Sequence, residues 1–406
     1  MTDHDERVRH VVAHAYANAP GVKKIFDQAG LAPTDVHGVA DLDKIPVTSK
    51  DRLVELQAAD PPFGGFLAVP PFRLKRIYFS PGPLYDPQGR GQSLIEAAAE
   101  ALNVLGWGPG DIVLNALSYH LVPAGLLLDD ALTSMGVTVV PGGVGMSQLQ
   151  VKMLLDLGIV GYVGTPSFLA TLIDQAEKMN LDFRKAFALQ SALVTAEPLP
   201  PSLRQRFEEE YGLTVVNAYG TADLGLLGFE CLSKAGFHVP HSVIVQIVDP
   251  ETGRSLEPGA VGEVVATTFD ETYPLIRFGT GDLAFYTDEP CACGRESKRL
   301  VALVGRVGEA VKVRGMFVHP NQVRFAIGSF PAVARVQGVV TRPENRDELT
   351  FQVELADETA DRDQLAAALG EALQAACRVK SDRIEFVVQG TLAPGAQVIV
   401  DQRTWD

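Results

Sequence analysis

Between residues 112 and 216 the chain repeats one pattern, a short apolar run followed by a stretch with helical spacing. The runs cover residues 112–114, 137–140, 160–164 and 213–216, and the helix-like stretches include 149–157 and 166–179. Apolar runs this short are strands, and helices between them are what parallel pairing requires, because a parallel neighbour is reached only through a crossover. From residue 243 to 285 the helical spacing stops. Residues 244–248 and 262–265 read as strands, joined through the turn residues Asp249-Pro250 and Thr252-Gly253. An α/β layer followed by a β-rich subdomain is therefore expected.

The flanks read differently. Near the start, Val8, Val11, Val12 and Ala15 mark one buried helix face, with loop signals at Asn18-Ala19-Pro20-Gly21 and Ala32-Pro33-Thr34-Asp35. After Gly305 the pattern becomes a helix at 321–327, strands at 333–340 and 348–355, a helix at 361–377 and a strand at 383–388. Leu365, Leu369, Leu373 and Cys377 form one stripe on the second helix. A chain of 406 residues exceeds one ordinary core, and the division expected is 1–305 and a small α+β domain at 306–406.

A formal net charge of -15 argues against phosphate backbones and anionic membranes, so neither nucleic acid nor membrane is an expected partner. The start is polar and acidic, without the pattern of a signal peptide. The longest apolar stretch, 159–173, contains Gly161, Gly164 and Pro166 and falls short of the ~20 residues of a membrane span. A cytoplasmic protein is expected, and in that setting Cys231, Cys291, Cys293 and Cys377 point to a metal or to core thiols.

Three motifs can carry chemistry. In Thr280-Gly281-Asp282-Leu283 a carboxylate on a tight glycine turn can accept both hydroxyls of a ribose, although a hairpin turn with a solvated Asp has the same sequence. In Val216-Asn217-Ala218-Tyr219-Gly220-Thr221-Ala222-Asp223, Tyr219 can stack on a base, Thr221 can reach a phosphate and Asp223 can hold Mg²⁺; a core Tyr before a loop is the plainer reading. The stretch Val304-Gly305-Arg306-Val307-Gly308-Glu309-Ala310-Val311-Lys312-Val313-Arg314-Gly315 is either an interdomain hinge or a basic turn between strands.

In this order, with Ala196-Glu197-Pro198 upstream, these motifs resemble the phenylacetate–CoA ligases, a family of adenylate-forming enzymes. The likeness covers nearly the whole chain, from Ala17-Asn18-Ala19-Pro20, Gly30-Leu31-Ala32-Pro33 and Leu42-Asp43-Lys44-Ile45-Pro46-Val47-Thr48-Ser49-Lys50, through Gly164-Thr165-Pro166-Ser167 and Cys291-Ala292-Cys293-Gly294-Arg295, to Val400-Asp401-Gln402-Arg403. It implies a large adenylate-forming domain and a small mobile one. By resemblance, Ala196, Glu197 and Pro198 line the adenine side, Tyr219, Gly220 and Thr221 pack on the nucleotide, and Asp282 binds the ribose. Arg306 contacts the nucleotide, Asp223 takes the place of a metal-binding Glu, and Lys312 to Gly315 face a CoA channel; Asp223, Arg306 and Lys312 are the catalytic candidates. Ser118-Tyr119-His120 and Gly142-Gly143 correspond to the acid pocket, with His120 equally readable as a structural His. The resemblance also brings Cys231 and His238 beside Cys291 and Cys293, a three-thiolate, one-imidazole set for structural Zn²⁺, with His241 as reserve ligand. ATP or AMP, Mg²⁺, CoA and a small aromatic or acyl carboxylate are the implied cofactors and substrates, and a homodimer is expected.

Three positions depart from the family. The phosphate loop, a Ser/Thr/Gly run ending in Lys, is replaced by Phe79-Ser80-Pro81-Gly82-Pro83-Leu84-Tyr85-Asp86-Pro87, whose prolines lack donors and whose Asp86 adds a carboxylate. Gly308 stands for the hinge acid. Counting back from Val400, Gly395 stands for the C-terminal catalytic Lys, and no Lys follows Lys380. The expected activity is an acid–CoA ligase with atypical phosphate handling; the alternatives are an acyl transferase using ready-made acyl-adenylate or acyl-CoA, and a nucleotide-binding protein without catalysis.

Overall fold

The computed structural model describes residues 3–404 except 81, 261, 308–310, 315, 319, 344–345, 357–360 and 378, and without the side chains of 304, 305, 312, 316, 317 and 321. Its compact units are Met1–Val307 and Gly308–Asp406.

The first unit is organised by one twelve-stranded sheet. Its parallel half runs in the spatial order Thr138–Pro141, Ile112–Asn115, Gly161–Gly164, Ser191–Val194 and Thr214–Thr221. The inner strands Gly161–Gly164 and Ser191–Val194 are wholly buried, so side-chain alternation gives way to continuous apolar runs there. At Thr214–Thr221 the sheet changes hand. That strand pairs in parallel with Ser191–Val194 on one side and antiparallel with Gly225–Glu230 on the other. The antiparallel half continues through Phe237–His238, Arg299–Arg306, Phe278–Thr287 and Gly262–Thr268 to Val243–Val248. Tyr219 and Thr221 therefore lie near the carboxyl end of the strand where the two halves meet, the place where α/β sheets bind ligands.

The helix Asp3–Asn18 buries Val8, Val11, Val12 and Ala15, the stripe its spacing predicts. The loop signal at 18–21 shrinks to Ala19, because Pro20 is the first residue of the next helix, Pro20–Gln28, where its missing N–H is harmless. The tetrapeptide at 280–283 is no hairpin turn. It lies inside the strand Phe278–Thr287, where Gly281 has φ 75° and the pairing register slips beside it. A bulge of this kind re-aims a side chain without ending the strand. Arg277 just before it is fully buried, with Nη1 donating to Ile45 O at 2.6 Å and an ion pair to Asp43 at 3.1 Å. It ties the strand to the N-terminal segment.

The second unit has a four-stranded sheet in the order Arg383–Val387, Glu348–Leu355, Val333–Thr341 and Ile399–Asp401. The helix Arg362–Cys377 buries Leu369, Leu373 and Cys377 in the same core as Val340, Phe351 and Val353. Each buried Leu contributes roughly 1.5–3 kcal/mol.

Candidate active site

The bulged strand and the parallel strand end bring three sequence motifs together. Tyr219 Oη donates to Asp282 Oδ2 at 2.8 Å, and Arg306 Nε lies 2.8 Å from Asp282 Oδ1. Asp282 and Arg306 are paired across neighbouring strands. Burial, reinforced by the charge of Asp282, pushes the Tyr219 phenol well above its ordinary range, so it is a neutral donor. Thr280 Oγ1 supports the bulge by accepting from Asp282 N at 3.1 Å and donating to Val264 O at 2.9 Å. Thr221 Oγ1 accepts from Leu224 N at 3.2 Å and shapes the turn that presents Asp223.

Ala196 has φ 74°, a left-handed conformation that an alanine adopts only under constraint. The constraint lies next door: Glu197 Oε1 accepts from Ser167 N at 2.6 Å, at the start of the helix Pro166–Lys178 that Thr165 caps. Gly220 has no room for a side chain, since a Cβ there would stand 2.5 Å from Gly225 O. Pro198 is exposed beside Glu197.

The stretch 79–87, expected in the place of a phosphate loop, has a definite shape. Residues around 79–87 form a β-hairpin, Arg76–Ser80 with Leu84–Gln88, and its interior position 86 is an acid. Pro81 lies outside the described residues. Burial, with the nearby Asp223 charge second, raises the Asp86 carboxyl well above the usual carboxylate range. Asp86 therefore adds less negative charge than its sequence implies. Asp223, expected to offer a carboxylate to Mg²⁺, instead has its Oδ2 2.8 Å from Lys50 Nζ, and its side chain is 2 % exposed. Lys50 and Asp223 are 173 residues apart, and nothing in the sequence pattern connects them.

Among the residues expected to border the acid, Tyr119 Oη donates to Asp129 Oδ2 at 2.8 Å, and a Cβ on Gly143 would lie 4.0 Å from Tyr119 Cδ2. Gly142 and Gly143 are held by Gln150 Nε2, which donates to their carbonyls at 3.2 and 2.9 Å. His120 is exposed, with its N–H donating to Ser118 Oγ at 3.2 Å.

The cysteines behave as a set. Cys231, His238, Cys291 and Cys293 place one donor atom each within 4.8 Å of one another. Cys231 Sγ and Cys291 Sγ are 3.7 Å apart, and Cys293 Sγ is 3.4 Å from His238 Nε2. Two thiolates on one tetrahedral zinc stand about 3.8 Å apart, given Zn–S near 2.3 Å. His238 Nδ1 is 3.0 Å from Ser297 Oγ, which fixes the ring with Nε2 toward the thiols. Burial, then Arg295 and Arg299, lowers the His238 pKa to about 4, so the imidazole is neutral and able to coordinate. His241 is elsewhere, with its ring 4.5 Å from that of His4 and its Nε2 3.4 Å from Asp3. Cys377 is buried in the second unit, where burial raises its thiol to about 12.

Within the second unit, Lys312 lies in the strand Val311–Val313, opposite Phe317; its side chain, with Gly308 and Gly315, is outside the described residues. Arg314 is engaged locally, with N donating to Asp347 Oδ2 and Nε to Asp347 O, both at 3.0 Å. Gly395 has φ 81° and no heavy atom within 4 Å of a built Cβ.

Comparison with known proteins gives these positions a context. Residues 92–268 match the AMP-binding enzyme family. A phenylacetate–coenzyme A ligase of Thermus thermophilus is 32% identical, over 97% of this chain and 92% of its own length. Another, from Escherichia coli, is 29% identical over 87% and 82%. Among solved structures, a 2-hydroxyisobutyryl-CoA ligase in complex with 2-HIB-AMP and CoA matches with a TM-score of 0.92 and 25% identity, over 98% of this chain and 89% of that one.

Proposed function

The chain belongs to the phenylacetate–coenzyme A ligase family of AMP-binding enzymes, and from this we propose that it is an AMP-forming acid–CoA ligase whose thioester-forming half is the stronger. In the first half a carboxylate oxygen attacks the α-phosphorus of ATP and pyrophosphate leaves. In the second the CoA sulfur attacks the acyl carbon and AMP leaves. Asp282 and Arg306 hold the ribose, Tyr219 and Gly220 pack on the adenine, and Ala196, Glu197 and Pro198 close its other side. Thr221 reaches the α-phosphate. Tyr119, His120, Gly142 and Gly143 border a small aromatic or acyl carboxylate. Residues 1–305 carry the adenylate chemistry, and residues 306–406 form the small domain that moves between the halves and brings Lys312 to the CoA. Mg²⁺ enters with ATP, on its phosphates.

The observation that carries this reading is the division of the site. The hydrogen-bonded group Tyr219–Asp282–Arg306 is in place, while Asp223 is engaged by Lys50 and no Lys follows Lys380 in the sequence. The same division favours the second reading, an acyl transferase supplied with acyl-adenylate. Pyrophosphate release with ATP, CoA and a panel of aryl and short acyl acids tests the ligase: acid-dependent release with thioester formation supports it, and no release with any acid leaves the transferase.

Zinc is part of the proposal. Cys231, His238, Cys291 and Cys293 would fill all four tetrahedral positions, so the ion would hold the strand ends together and take no part in catalysis. A cytoplasmic location fits the free thiols among the described residues, and no described helix is long and apolar enough to cross a membrane. A homodimer completes the proposal, to be read by sedimentation.

A further inference from the structure

Asp223 stands where the family places a metal-binding carboxylate, and the test of whether a divalent ion fits there is geometric. One oxygen, Oδ2, is 2.8 Å from Lys50 Nζ. The other, Oδ1, is buried beside the Asp86 carboxyl, which burial and the Asp223 charge hold well above the usual carboxylate range. The Lys50 ammonium already fills the position beside Asp223 Oδ2 that a divalent ion would need, and the Asp223 side chain is 2 % exposed, whereas Mg²⁺ keeps an octahedron of oxygens including several waters.

The surroundings are built for the lysine. Lys50 is the first residue of the helix Lys50–Ala59, whose cap Ser49 Oγ accepts from Arg52 N at 3.2 Å, so its backbone is fixed. Its stem passes Gly82 of the hairpin so closely that a Cβ at Gly82 would come 2.6 Å from Lys50 Cε. The hairpin that replaces the family's phosphate loop therefore supplies both the gap for the lysine stem, at Gly82, and a second carboxyl facing its partner, at Asp86.

We propose that Lys50 is the resident cation of this site: its ammonium takes the position a divalent ion would take on Asp223, and the protein binds AMP or an acyl-adenylate with no metal on that carboxylate. The proposal deepens the nucleotide reading above, on which only its consequence for AMP rests. An ion brought by ATP must then be held by the phosphates alone or must first displace Lys50.

Mn²⁺ titration of the ligand-free, zinc-replete protein, read by electron paramagnetic resonance of the free ion, tests this without any nucleotide. The unmutated protein and Asp223→Asn should take up the same amount of Mn²⁺, and Lys50→Arg should match them. Lys50→Met should gain one site, at least about tenfold tighter than any in the parent, and Lys50→Met/Asp223→Asn should lose it again. An Asp223-dependent Mn²⁺ site in the unmutated protein overturns the proposal, as does a folded Lys50→Met that gains none. If Lys50→Met does not fold, the comparison of the parent with Asp223→Asn decides alone. Calorimetry then adds the consequence: AMP affinity of the parent should be the same in chelator and in excess Mg²⁺. Failure of AMP to bind at all would remove the nucleotide reading and leave the Mn²⁺ result standing.

Discussion

Tyr219 Oη donates to Asp282 Oδ2 across 2.8 Å, joining a strand of the parallel half of the sheet to a bulged strand of the antiparallel half, 63 residues later in the chain. With Arg306 on the other carboxylate oxygen, Asp282 is fixed before any ligand arrives.

Asp282→Ala should therefore abolish measurable AMP binding. Two hydrogen bonds to a charged group are each worth about 1.5–3 kcal/mol, so affinity should fall by more than about a hundredfold. Tyr219→Phe removes one orienting donor and keeps the ring, so its effect should be about tenfold or less. Calorimetry with AMP on both variants reads the difference; equal losses would mean that the carboxylate works only when Tyr219 donates to it.

Metal analysis of protein purified without chelator should give close to one equivalent of zinc. Cys291→Ser and Cys293→Ser should lose it and melt at lower temperature, because the binding free energy of a closed site is folding free energy. His241→Ala should keep the metal, as that ring packs against His4 outside the cluster. Less than about half an equivalent in the unmutated protein contradicts the assignment.

Glu197 can be divided into its acceptor and its charge. Glu197→Ala leaves Ser167 N without its 2.6 Å partner at a helix start and should cost about 1–3 kcal/mol of stability while weakening AMP. Glu197→Gln keeps an oxygen acceptor and should recover most of the stability. Thermal unfolding and AMP titration of the pair provide the check. Equal stability of both variants would show that the Ser167 contact contributes little.

A lysine can be put back. Gly395 has φ 81° and open space at its Cβ, so Gly395→Lys should fold with a penalty of about 1–2 kcal/mol from the left-handed backbone. Single charge stabilisers at a transition state are worth roughly 10²–10³ in rate. Gly395→Lys should raise adenylate formation from acid and ATP and leave thioester formation unchanged. A folded variant with unchanged adenylate formation would mean that position 395 does not face the reacting phosphate.

Much of the fold was legible because it is periodic. The helix Asp3–Asn18 and the strand Glu348–Leu355 follow from spacing alone. Ser191–Val194 escaped notice, since four wholly buried residues carry no alternation and sit among other apolar segments. Ile399–Asp401 is too short to show a period. The stretch read as a phosphate loop is a hairpin because its residues pair across the turn, which prolines in a sequence do not announce. The hydrogen-bonded group Tyr219–Asp282–Arg306 was legible only as an ordered set of motifs, and its geometry comes from the fold. The Lys50–Asp223 pair was not legible at all, because a contact over 173 residues is decided by the fold.

If the two halves of the reaction have come apart in this protein, single-turnover kinetics of each half will show it. The site should convert supplied acyl-adenylate and CoA to thioester much faster than it converts the same acid and ATP to adenylate, by a factor approaching the roughly 10²–10³ attributable to the missing lysine. Adenylate formed from acid and ATP as fast as added adenylate is consumed would contradict the account and make this an ordinary ligase.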